Sequence, residues 1–577
     1  MDVNKSSSKG ISPATWLGGS FFLIAGLLSF YFALKYSGAP KEFPLLHKDD
    51  LLESPLCDHR GGFYPGSVTV RLSSALPSST IYYTTDGSEP GLGSEKYEGS
   101  ISIDENTSGQ PRLAYIPTSP RWKPPLGNVL KGTTLRAIAV AGGRKSRELV
   151  RTFFNSENAL PTGLPVVCLT VNEADLFGYK NGIYVLGKNY EDKSDYIKKN
   201  IPLDLPWWSY PSNYMKKGSN AERPVHLEFF EPGGKEGFEA DAGVRINGNK
   251  TRGFGQKSLR ICFDKKYGTE ALDYPVFADA DYHKFGSLIL RNSGNDWDKT
   301  MFRDAFMQEL MVASDLDIQR NRTSVVFING EYWGIHNIRE RIDEHYFEYK
   351  HHLSTDSIVI LESGGKLLFG HKKDPEEFQE LLAYVRAHDL SDPAAYDYVA
   401  KRIDLRNFMD FIIASVYFCN TDWQEKFWKY RTSIPAGDSV YAGDGRWRWV
   451  LYDTDYGFGF AGPGAINADL LETARTTGTI GLIFSNLLKN PEFRSGFKKR
   501  FEYHLDNTFK PERVVAKINA FHDSFEPEMS RHIDRWRSIG TVDKWELNVE
   551  ELRTFARNRP AIQEKQLEKF LSRFVNP

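Results

Sequence analysis

The residues of this chain that are best suited to chemistry lie in three separated segments. The first, residues 243–263 (GVRINGNKTRGFGQKSLRICF), combines a turn rich in glycine with basic side chains. Glycines let backbone N–H groups approach an anion without a Cβ in the way, and lysine and arginine add positive charge. An ordinary hairpin with glycines at its turn is the alternative. The residues predicted to bind phosphate groups are Arg245, Asn247, Gly248, Asn249, Arg252 and Lys257.

The other two segments supply carboxylates. Residues 419–431 (CNTDWQEKFWKYR) place Asp422 after a helical run, and residues 447–460 (WRWVLYDTDYGFGF) place Asp453 and Asp455 after an apolar strand. A carboxylate at a strand end that is followed by glycines can hold Mg²⁺ against a triphosphate, so Asp453 and Asp455 are the predicted metal ligands. Asp422 is the predicted base or orienting group for an attacking hydroxyl. Acids in loops can also simply form turns.

Short strands must position the basic turn. Residues 241–263 predict a hairpin whose loop is 247–256. Residues 325–343 predict a second hairpin, because Asn329-Gly330 between two apolar runs is a strong hairpin signal. Together with a strand at 287–291, these hairpins predict an antiparallel sheet.

A helix that begins after Asp298 or Thr300 is expected to pack on this sheet, since apolar residues follow at helical spacing. One of its charged residues is a candidate partner for Lys257, as a glutamate pairs with a lysine in protein kinases. A solvated helix face is the alternative. The candidates are Arg303, Asp304 and Glu309.

Composition indicates a folded protein of several units. The chain has 577 residues, of which 26% are charged and 40% hydrophobic, so three or four domain-sized units are expected. A net charge of −2 gives no electrostatic argument for nucleic-acid binding. The four cysteines are scattered without a CxxC pair, which argues against a structural zinc site and leaves any disulfide pairing open.

A membrane segment is predicted within residues 1–40. Between Lys9 and Lys35 lie 25 residues without a charge, which is long enough to cross a bilayer as a helix. An uncleaved anchor is the first interpretation, and a signal cleaved near Ser37-Gly38-Ala39 is the second. The flanking lysines barely fix the orientation. The short N-terminal tail favours an extracytoplasmic position for the rest of the chain.

The next unit, residues 50–156, is predicted to be a β-sandwich. Runs such as SVTVRL, TIYYT and TTLRAIAV alternate polar and apolar residues between Gly, Pro and Ser turns. The pair FYPGSVTVRL and IYYTTDGSEP resembles the small β-sandwich of the C-terminal region of chitobiases and hexosaminidases. A spacer is the first interpretation of this module and contact with a glycan is the second. It offers no carboxylate pair suited to glycoside hydrolysis.

Beyond Pro375 the pattern becomes helical. Apolar residues at helical spacing predict helices within residues 378–388 and 405–417, and then a series that completes a helical lobe. That series comprises 480–488, 493–509, 512–525 and 557–574.

The chain from residue 164 to 460 resembles the spore coat protein H (CotH) kinase-like family. Besides the three segments above, LRNSGNDWDKTMFRDAF and INGEYWGIHNIRERID carry the likeness. The resemblance implies an α+β, atypical protein-kinase-like two-lobed fold over residues 160–577, preceded by the all-β sandwich and the transmembrane helix. The small lobe is expected to span 160–365 and the helical large lobe 366–577.

The resemblance also implies ATP, Mg²⁺ or Mn²⁺, and phosphoryl transfer to Ser or Thr hydroxyls of secreted or envelope proteins. Lys257 matches the phosphate-contacting lysine of the family, Asp422 its catalytic-loop aspartate and Asp453 its metal-binding aspartate. Members commonly carry an asparagine four or five residues after that catalytic aspartate, as a second metal ligand. Here Lys426-Phe427 stands in that place and the nearby amide is Gln424. A protonated lysine cannot ligate a metal.

An active, membrane-anchored extracytoplasmic kinase is therefore the expectation, with a pseudokinase kept open. Kinase-like folds also transfer adenylyl or glutamyl groups, which gives a second enzymatic alternative. The non-enzymatic alternative is an envelope scaffold or adhesion protein.

Overall fold

The computed structural model describes residues 52–155, 163–192, 206–423, 425–431 and 443–574. The predicted membrane segment, the boundary near residue 160 and Gln424 lie outside these ranges. Within them, no helix combines the length and the apolar composition needed to cross a bilayer. All four cysteines are free thiols.

The first unit consists of two sheets that share an apolar core, which includes Val70, Ile103 and Leu135. One sheet has the order β1-β3-β6 and the other β2-β9-β7-β4-β5, with β8 paired to β7. The strands predicted from the alternating runs are confirmed as β3, β4 and β7. The bounds are β1 Leu56–Cys57, β2 Gly62–Phe63, β3 Val68–Ser73, β4 Thr80–Thr84, β5 Glu95–Lys96, β6 Ser100–Ile103, β7 Thr133–Ala141, β8 Arg144–Lys145 and β9 Leu149–Phe154.

The second unit is a closed barrel, where the sequence predicted an antiparallel sheet. Its order is β10-β11-β12-β13-β16-β19-β18, and β10 closes it by pairing parallel with β18. The predicted hairpin at Asn329-Gly330 is confirmed, with both residues at positive φ. The bounds are β10 Val166–Thr170, β11 Arg223–Glu231, β12 Lys235–Ile246, β13 Leu259–Cys262, β16 Ser287–Arg291, β18 Asn321–Ile328 and β19 Glu331–Glu340, with β14 Leu272–Asp273 and β15 Lys284–Phe285 as a separate pair and the short helix α1 Glu173–Phe177.

The strand register gives the barrel an apolar inner face and a basic outer face. Val244 pairs with Ile261, and Ile261 with Leu288, and all three belong to the barrel core. Since side chains alternate along a strand, their neighbours face outward. The outward residues include Arg245, Arg260, Arg291 and Arg339.

The third unit is helical and contains a five-stranded sheet of order β17-β23-β22-β20-β21. Strands β17 and β20 come before residue 366, where the large lobe was predicted to begin. The helical unit therefore includes residues that the sequence assigned to the small lobe. The strand bounds are β17 Asp317–Ile318, β20 Ile358–Glu362, β21 Lys366–Phe369, β22 Lys426–Tyr430 and β23 Arg448–Leu451. The helices are α2 Arg303–Leu310, α3 Glu344–His351, α4 Asp374–Ala387, α5 Pro393–Ala400, α6 Leu405–Tyr417, α7 Leu471–Thr476, α8 Gly478–Leu487, α9 Pro491–Tyr503, α10 Pro511–Trp536 and α11 Val542–Ser572.

Three helix predictions need correction, and the first of them is the helix predicted at 557–574, which is the second half of α11, a helix that begins at Val542. Helix α2 belongs to the core of the helical lobe, where the ring of Phe302 just before it lies 5.4 Å from those of Phe521 and Phe525. Helix α10 continues past the predicted end at residue 525 to Trp536, although Pro527 lies inside it. A proline inside a helix removes one hydrogen bond, and the buried residues Met529, Ile533 and Trp536 add packing that outweighs this loss.

The stretch between β6 and β7, residues 104–132, joins the sandwich to the barrel. Glu331 at the start of β19 is buried, and its carboxylate accepts hydrogen bonds from the backbone N–H groups of Arg112, Leu113 and Ala114. A backbone bond from Gly132 N–H to Gly330 O, 2.9 Å long, continues the contact. The first unit is therefore fixed to the barrel by buried hydrogen bonds.

The Glu331→Ala substitution tests this anchor. It leaves three N–H groups, two of them fully buried, without an acceptor, and we expect the free energy of unfolding to fall by about 3 kcal/mol. Urea denaturation followed by tryptophan fluorescence measures the change. Glu105→Ala, on an exposed loop of the same stretch, is the matched control and should change little. Equal effects of the two substitutions would contradict the anchor.

Candidate functional site

Arg291 lies at the centre of the candidate site. It ends β16 on the outer face of the barrel, and its Nη2 donates to Asp453 Oδ1 at 2.7 Å and to Asp455 Oδ2 at 2.9 Å. Its Nε lies 3.8 Å from Asp304 Oδ2. Burial lowers the pKa of Arg291, but the three carboxylates outweigh burial and raise it. One guanidinium thus joins the barrel to acids of the helical lobe.

Asp455 is the buried member of the acidic pair, with 1% of its side chain exposed. Besides Arg291, it accepts hydrogen bonds from Asn295 N–H at 2.9 Å and from Asn295 Nδ2 at 3.0 Å. Burial and the charge of Asp453 raise its pKa to about 7. Gly294 permits this approach, since a Cβ there would lie 2.2 Å from Asp455 Oδ2 and its φ is +63°. The side chain of Asp455 is therefore held in one place by its surroundings.

Asp453 is the accessible member of the pair. Its side chain is 38% exposed, and within the described residues its hydrogen bonds involve Oδ1 alone. The residue is left-handed, with φ 54°. Such a backbone costs on the order of 1–3 kcal/mol and persists only when the surroundings determine it. The other carboxylate oxygen of Asp453, Oδ2, is therefore placed to bind a ligand.

Thr454, between the two acids, is fixed by Asp304. Asp304 Oδ1 accepts from Thr454 N–H at 2.7 Å and from its hydroxyl at 3.0 Å, and Asp304 Oδ2 accepts from Arg339 at 2.7 Å. Burial would raise the pKa of Asp304, but Arg339 and Arg291 lower it overall. Asp304 is therefore a charged anchor for the loop that carries the acidic pair.

The charged residues at helix α2 do not pair with Lys257, so that prediction is wrong. Arg303 bonds Asp296 at 2.9 Å, Asp304 bonds Arg339, and Glu309 contacts Lys517 at 3.0 Å. Arg303 also donates to the carbonyl oxygen of Phe458 at 2.6 Å. Helix α2 thus supports the segment after Asp455.

Asp422 follows helix α6 in a tight loop. Its N–H donates to Asn420 Oδ1 at 3.1 Å, and its side chain is exposed. The N–H of Phe458 donates to the carbonyl oxygen of Phe418 at 2.5 Å, so the loop of Asp422 is tied to the segment that carries the acidic pair. After burial, the charges of Asp455, Asp422 and Asp453 all raise the pKa of Tyr456. The structure therefore brings the three predicted acids around one region.

Lys257 has a different environment from the one predicted. It is buried, and Nζ donates to the carbonyl oxygens of Thr118, Arg252 and Phe254 at 2.9, 2.8 and 2.7 Å. The ammonium also lies 3.9 Å from the centre of the Tyr214 ring. Its three hydrogens are used by the backbone, so the structure does not support the predicted phosphate contact or a catalytic role for Lys257.

Arg252, like Lys257, donates its hydrogen bonds to backbone carbonyl oxygens. Its guanidinium donates to the carbonyl oxygens of Ile246, Gly248, Tyr214 and Lys216 at 2.7–3.0 Å. These contacts close the glycine-rich loop onto its own backbone. Among the other predicted phosphate-binding residues, Asn247 N–H bonds Ser258 O, Asn249 accepts from Lys217, Gly248 is left-handed, and Arg245 lies 3.8 Å from Glu222.

The partner of the loop comes from the distant stretch 104–132. Thr118 is buried, and its hydroxyl donates to Gly255 O at 2.8 Å while its carbonyl accepts from Lys257. Thr118 and Lys257 are 139 residues apart in the sequence, so no local sequence pattern predicts their contact.

Comparison with known families gives two matches. The model described as "CotH kinase protein" matches residues 244–562, more than half of the chain. The chain belongs to the CotH kinase protein family. The model described as "Chitobiase/beta-hexosaminidase C-terminal domain" matches residues 59–109, in the sandwich. Both predicted resemblances are confirmed. No curated protein matches the chain.

Sequence reasoning overlooked several residues of this CotH kinase domain. Arg291, Gly294 and Asn295 lie in the motif LRNSGNDWDKTMFRDAF, which was matched without roles for its members. An arginine that ends an apolar strand just before a Gly-Asn turn was the available signal. The sequence gives no sign that the partners of Arg291 are Asp453 and Asp455, which lie 162 and 164 residues further along the chain.

The Lys257→Met substitution separates a structural lysine from a phosphate-binding one. It leaves three buried carbonyls without a donor, and we expect the free energy of unfolding to fall by about 2–3 kcal/mol. Urea denaturation measures this loss. Lys250→Met, at an exposed position of the same loop, is the control. A Lys257→Met protein of full stability with abolished ATP binding would restore the original interpretation.

Proposed function

We propose that this CotH kinase domain transfers the γ-phosphoryl group of ATP to Ser or Thr hydroxyls of secreted or envelope proteins, with Mg²⁺ or Mn²⁺. The observation that supports the proposal most is the accessible carboxylate of Asp453, set beside buried Asp455 and tied by one backbone hydrogen bond to the loop of Asp422. Phosphoryl transfer needs this kind of arrangement, because catalysis depends on positioning and on charge stabilisation.

The acidic pair fits a hard divalent cation. The donors are carboxylate oxygens, and the second oxygen of Asp453 has no partner among the described residues. Within the described residues no group of three or more metal-binding side chains is assembled. Mg²⁺ is commonly bound by one or two carboxylates together with water and substrate phosphates, so the acidic pair would be sufficient on the protein side. The metal would neutralise charge on those phosphates.

Asp422 is the proposed base or orienting group. Its carboxylate is exposed at the surface of the site, where an acceptor hydroxyl can reach it. The bonds from Asp422 N–H to Asn420 and from Phe458 N–H to Phe418 hold its loop. Asp455 and Asp304 position the acidic loop and do not meet the substrate.

The cellular setting is proposed from the sequence. The 25 uncharged residues between Lys9 and Lys35 support a membrane anchor with the three folded units on the extracytoplasmic side. The sandwich would then act as a spacer, with contact to a glycan as a second use.

An inactive envelope scaffold or adhesion protein is the second candidate. It is favoured by the commitment of Lys257 to backbone carbonyls and by Lys426 in the place of a second metal ligand. Transfer of an adenylyl or glutamyl group is a further outcome that product analysis separates.

The Asp453→Ala substitution tests nucleotide and metal binding. In the wild type, ATP with Mg²⁺ at 100 times the dissociation constant should stabilise the fold by about 2.7 kcal/mol, seen as a rise in melting temperature. Asp453→Ala should lose most of this rise, whereas Asp506→Ala, on an exposed turn, should keep it. A wild-type protein without any rise would favour the scaffold.

The Asp422→Asn substitution tests the chemical step. We expect it to lower kcat by a factor of about 10² or more, in the range of general-base catalysis, and to keep the ATP-induced rise in melting temperature. Mass spectrometry of a casein acceptor measures the rate and shows whether phosphate, AMP or glutamate is added. Unchanged kcat would exclude the proposed role of Asp422.

A further inference from the structure

Three cations lie together near the acidic pair, and among the described residues Asp343 is the only carboxylate within 4 Å of any of them. We call Arg260, Arg341 and Lys426 the cationic cluster. Arg260 is on β13, Arg341 follows β19, and Lys426 begins β22, so the cluster is built from the barrel and the helical lobe together. None of the three belongs to the glycine-rich loop.

Asp343 is the carboxylate that the cluster shares. Its Oδ2 contacts Arg341, lies 4.0 Å from Arg260 and accepts from Ser287 at 3.3 Å, while its Oδ1 caps helix α3 by accepting from Tyr346 N–H at 3.2 Å. The carboxylate of Asp343 thus interacts with two guanidinium groups and one hydroxyl group and also caps a helix. The Nε of Arg260 is buried without a hydrogen-bond partner among the described residues.

Lys426 forms no ion pair within 4 Å among the described residues. Its ammonium donates one long bond of 3.4 Å to Ile342 O and lies 4.5 Å from the centre of the Tyr452 ring. Glu362 is its partner in the sheet register, but the carboxylate of Glu362 contacts Lys366. Lys426 is therefore a partly buried cation that can still donate to an anion.

The contacts place the three side chains near one another, because Arg341 and Arg260 share Asp343 and Lys426 donates to the carbonyl oxygen of Ile342, between Arg341 and Asp343. Burial and then the positive charge of Arg341 lower the pKa of Lys426 to about 8 and that of Arg260 to about 10. The charges of Asp343, Glu362 and Asp453 act in the opposite direction and raise the pKa of Lys426. The cluster and the proposed metal ligand are thus within electrostatic reach of each other.

The strand register connects the cluster to Arg291. Arg260 pairs with Ile289 across β13 and β16, and Arg291 is two residues further on the same outer face. Such diagonal neighbours lie about 7–8 Å apart, a distance that long side chains such as arginine can bridge to reach one ligand together. The barrel face therefore presents guanidiniums in sequence toward Asp453.

We propose that the cationic cluster binds the phosphate chain of the nucleotide, in place of the glycine-rich loop and Lys257. The inference rests on the proposed function, since it assigns the phosphates of the same substrate. Arg260 and Arg341 donate to the phosphates from the barrel, and Lys426 donates from the helical lobe. Guanidinium and ammonium groups form their strongest hydrogen bonds with such anions.

The test uses the full chain and inorganic tripolyphosphate, without metal, in titration calorimetry. Lys426→Met keeps the alkyl chain over Tyr452, and Arg260→Gln keeps a planar polar group. Each should weaken tripolyphosphate binding by a factor of 10 or more, with adenosine affinity unchanged. Lys499→Met, at an exposed lysine of α9, is the charge-matched control and should bind as the wild type does. Arg341 is left intact because it contacts the cap of α3.

The outcomes are distinguishable. If a folded Lys426→Met or Arg260→Gln protein binds tripolyphosphate within twofold of the wild type, or if the wild type does not bind it, the cluster is not a phosphate site. Loss of poly-glutamate binding with tripolyphosphate binding retained would assign the cluster to an acidic acceptor and also overturn the proposal. Weakened tripolyphosphate binding in a protein without transferase activity would support the cluster and refute the proposed reaction.

Discussion

The shared guanidinium of Arg291 is the interaction on which the site depends. It comes from a barrel strand, yet its partners Asp304, Asp453 and Asp455 all belong to the helical lobe. Asp453 and Asp455 repel each other at short range, and the cation that both of them contact stabilises the arrangement. The relative position of the two units is therefore coupled to the charge state of the site, because moving the barrel away would leave the acids unpaired.

Backbone strain is the second constraint. Cys419, Asp453 and Phe458 all adopt positive φ, and all three lie in the two loops that carry the predicted acids. The bond between Phe458 and Phe418 and the contact of Arg303 with Phe458 offset this strain locally. Gly457 adds to the close approach, since a Cβ there would lie 3.0 Å from Phe418 O. Such concentrated strain is typical of functional sites and gives an independent reason to regard these loops as one.

The sequence predicted the local elements well and their partners poorly. Hairpins with a definite turn, such as the one at Asn329-Gly330, and the amphipathic helix α6 follow from short-range patterns. The positions of Asp422, Asp453 and Asp455 at the ends of a helix and a strand also follow from order along the chain. The roles of Lys257 and Arg291 did not, because both depend on contacts across more than 130 residues. A buried lysine that donates to backbone carbonyls and a lysine that binds phosphate cannot be distinguished from the sequence alone.

The position of β12 in the barrel has a consequence for how this protein can be divided. The family match begins at residue 244, near the end of β12, whereas β10 and β11 lie upstream of it. A fragment that begins at residue 244 would lack β10, β11 and most of β12. The edges of β13 and β18 would then be unpaired and exposed. Open edges of this kind recruit other chains and promote aggregation. A fragment that keeps the barrel closed must therefore include β10, β11 and all of β12 together with the matched segment.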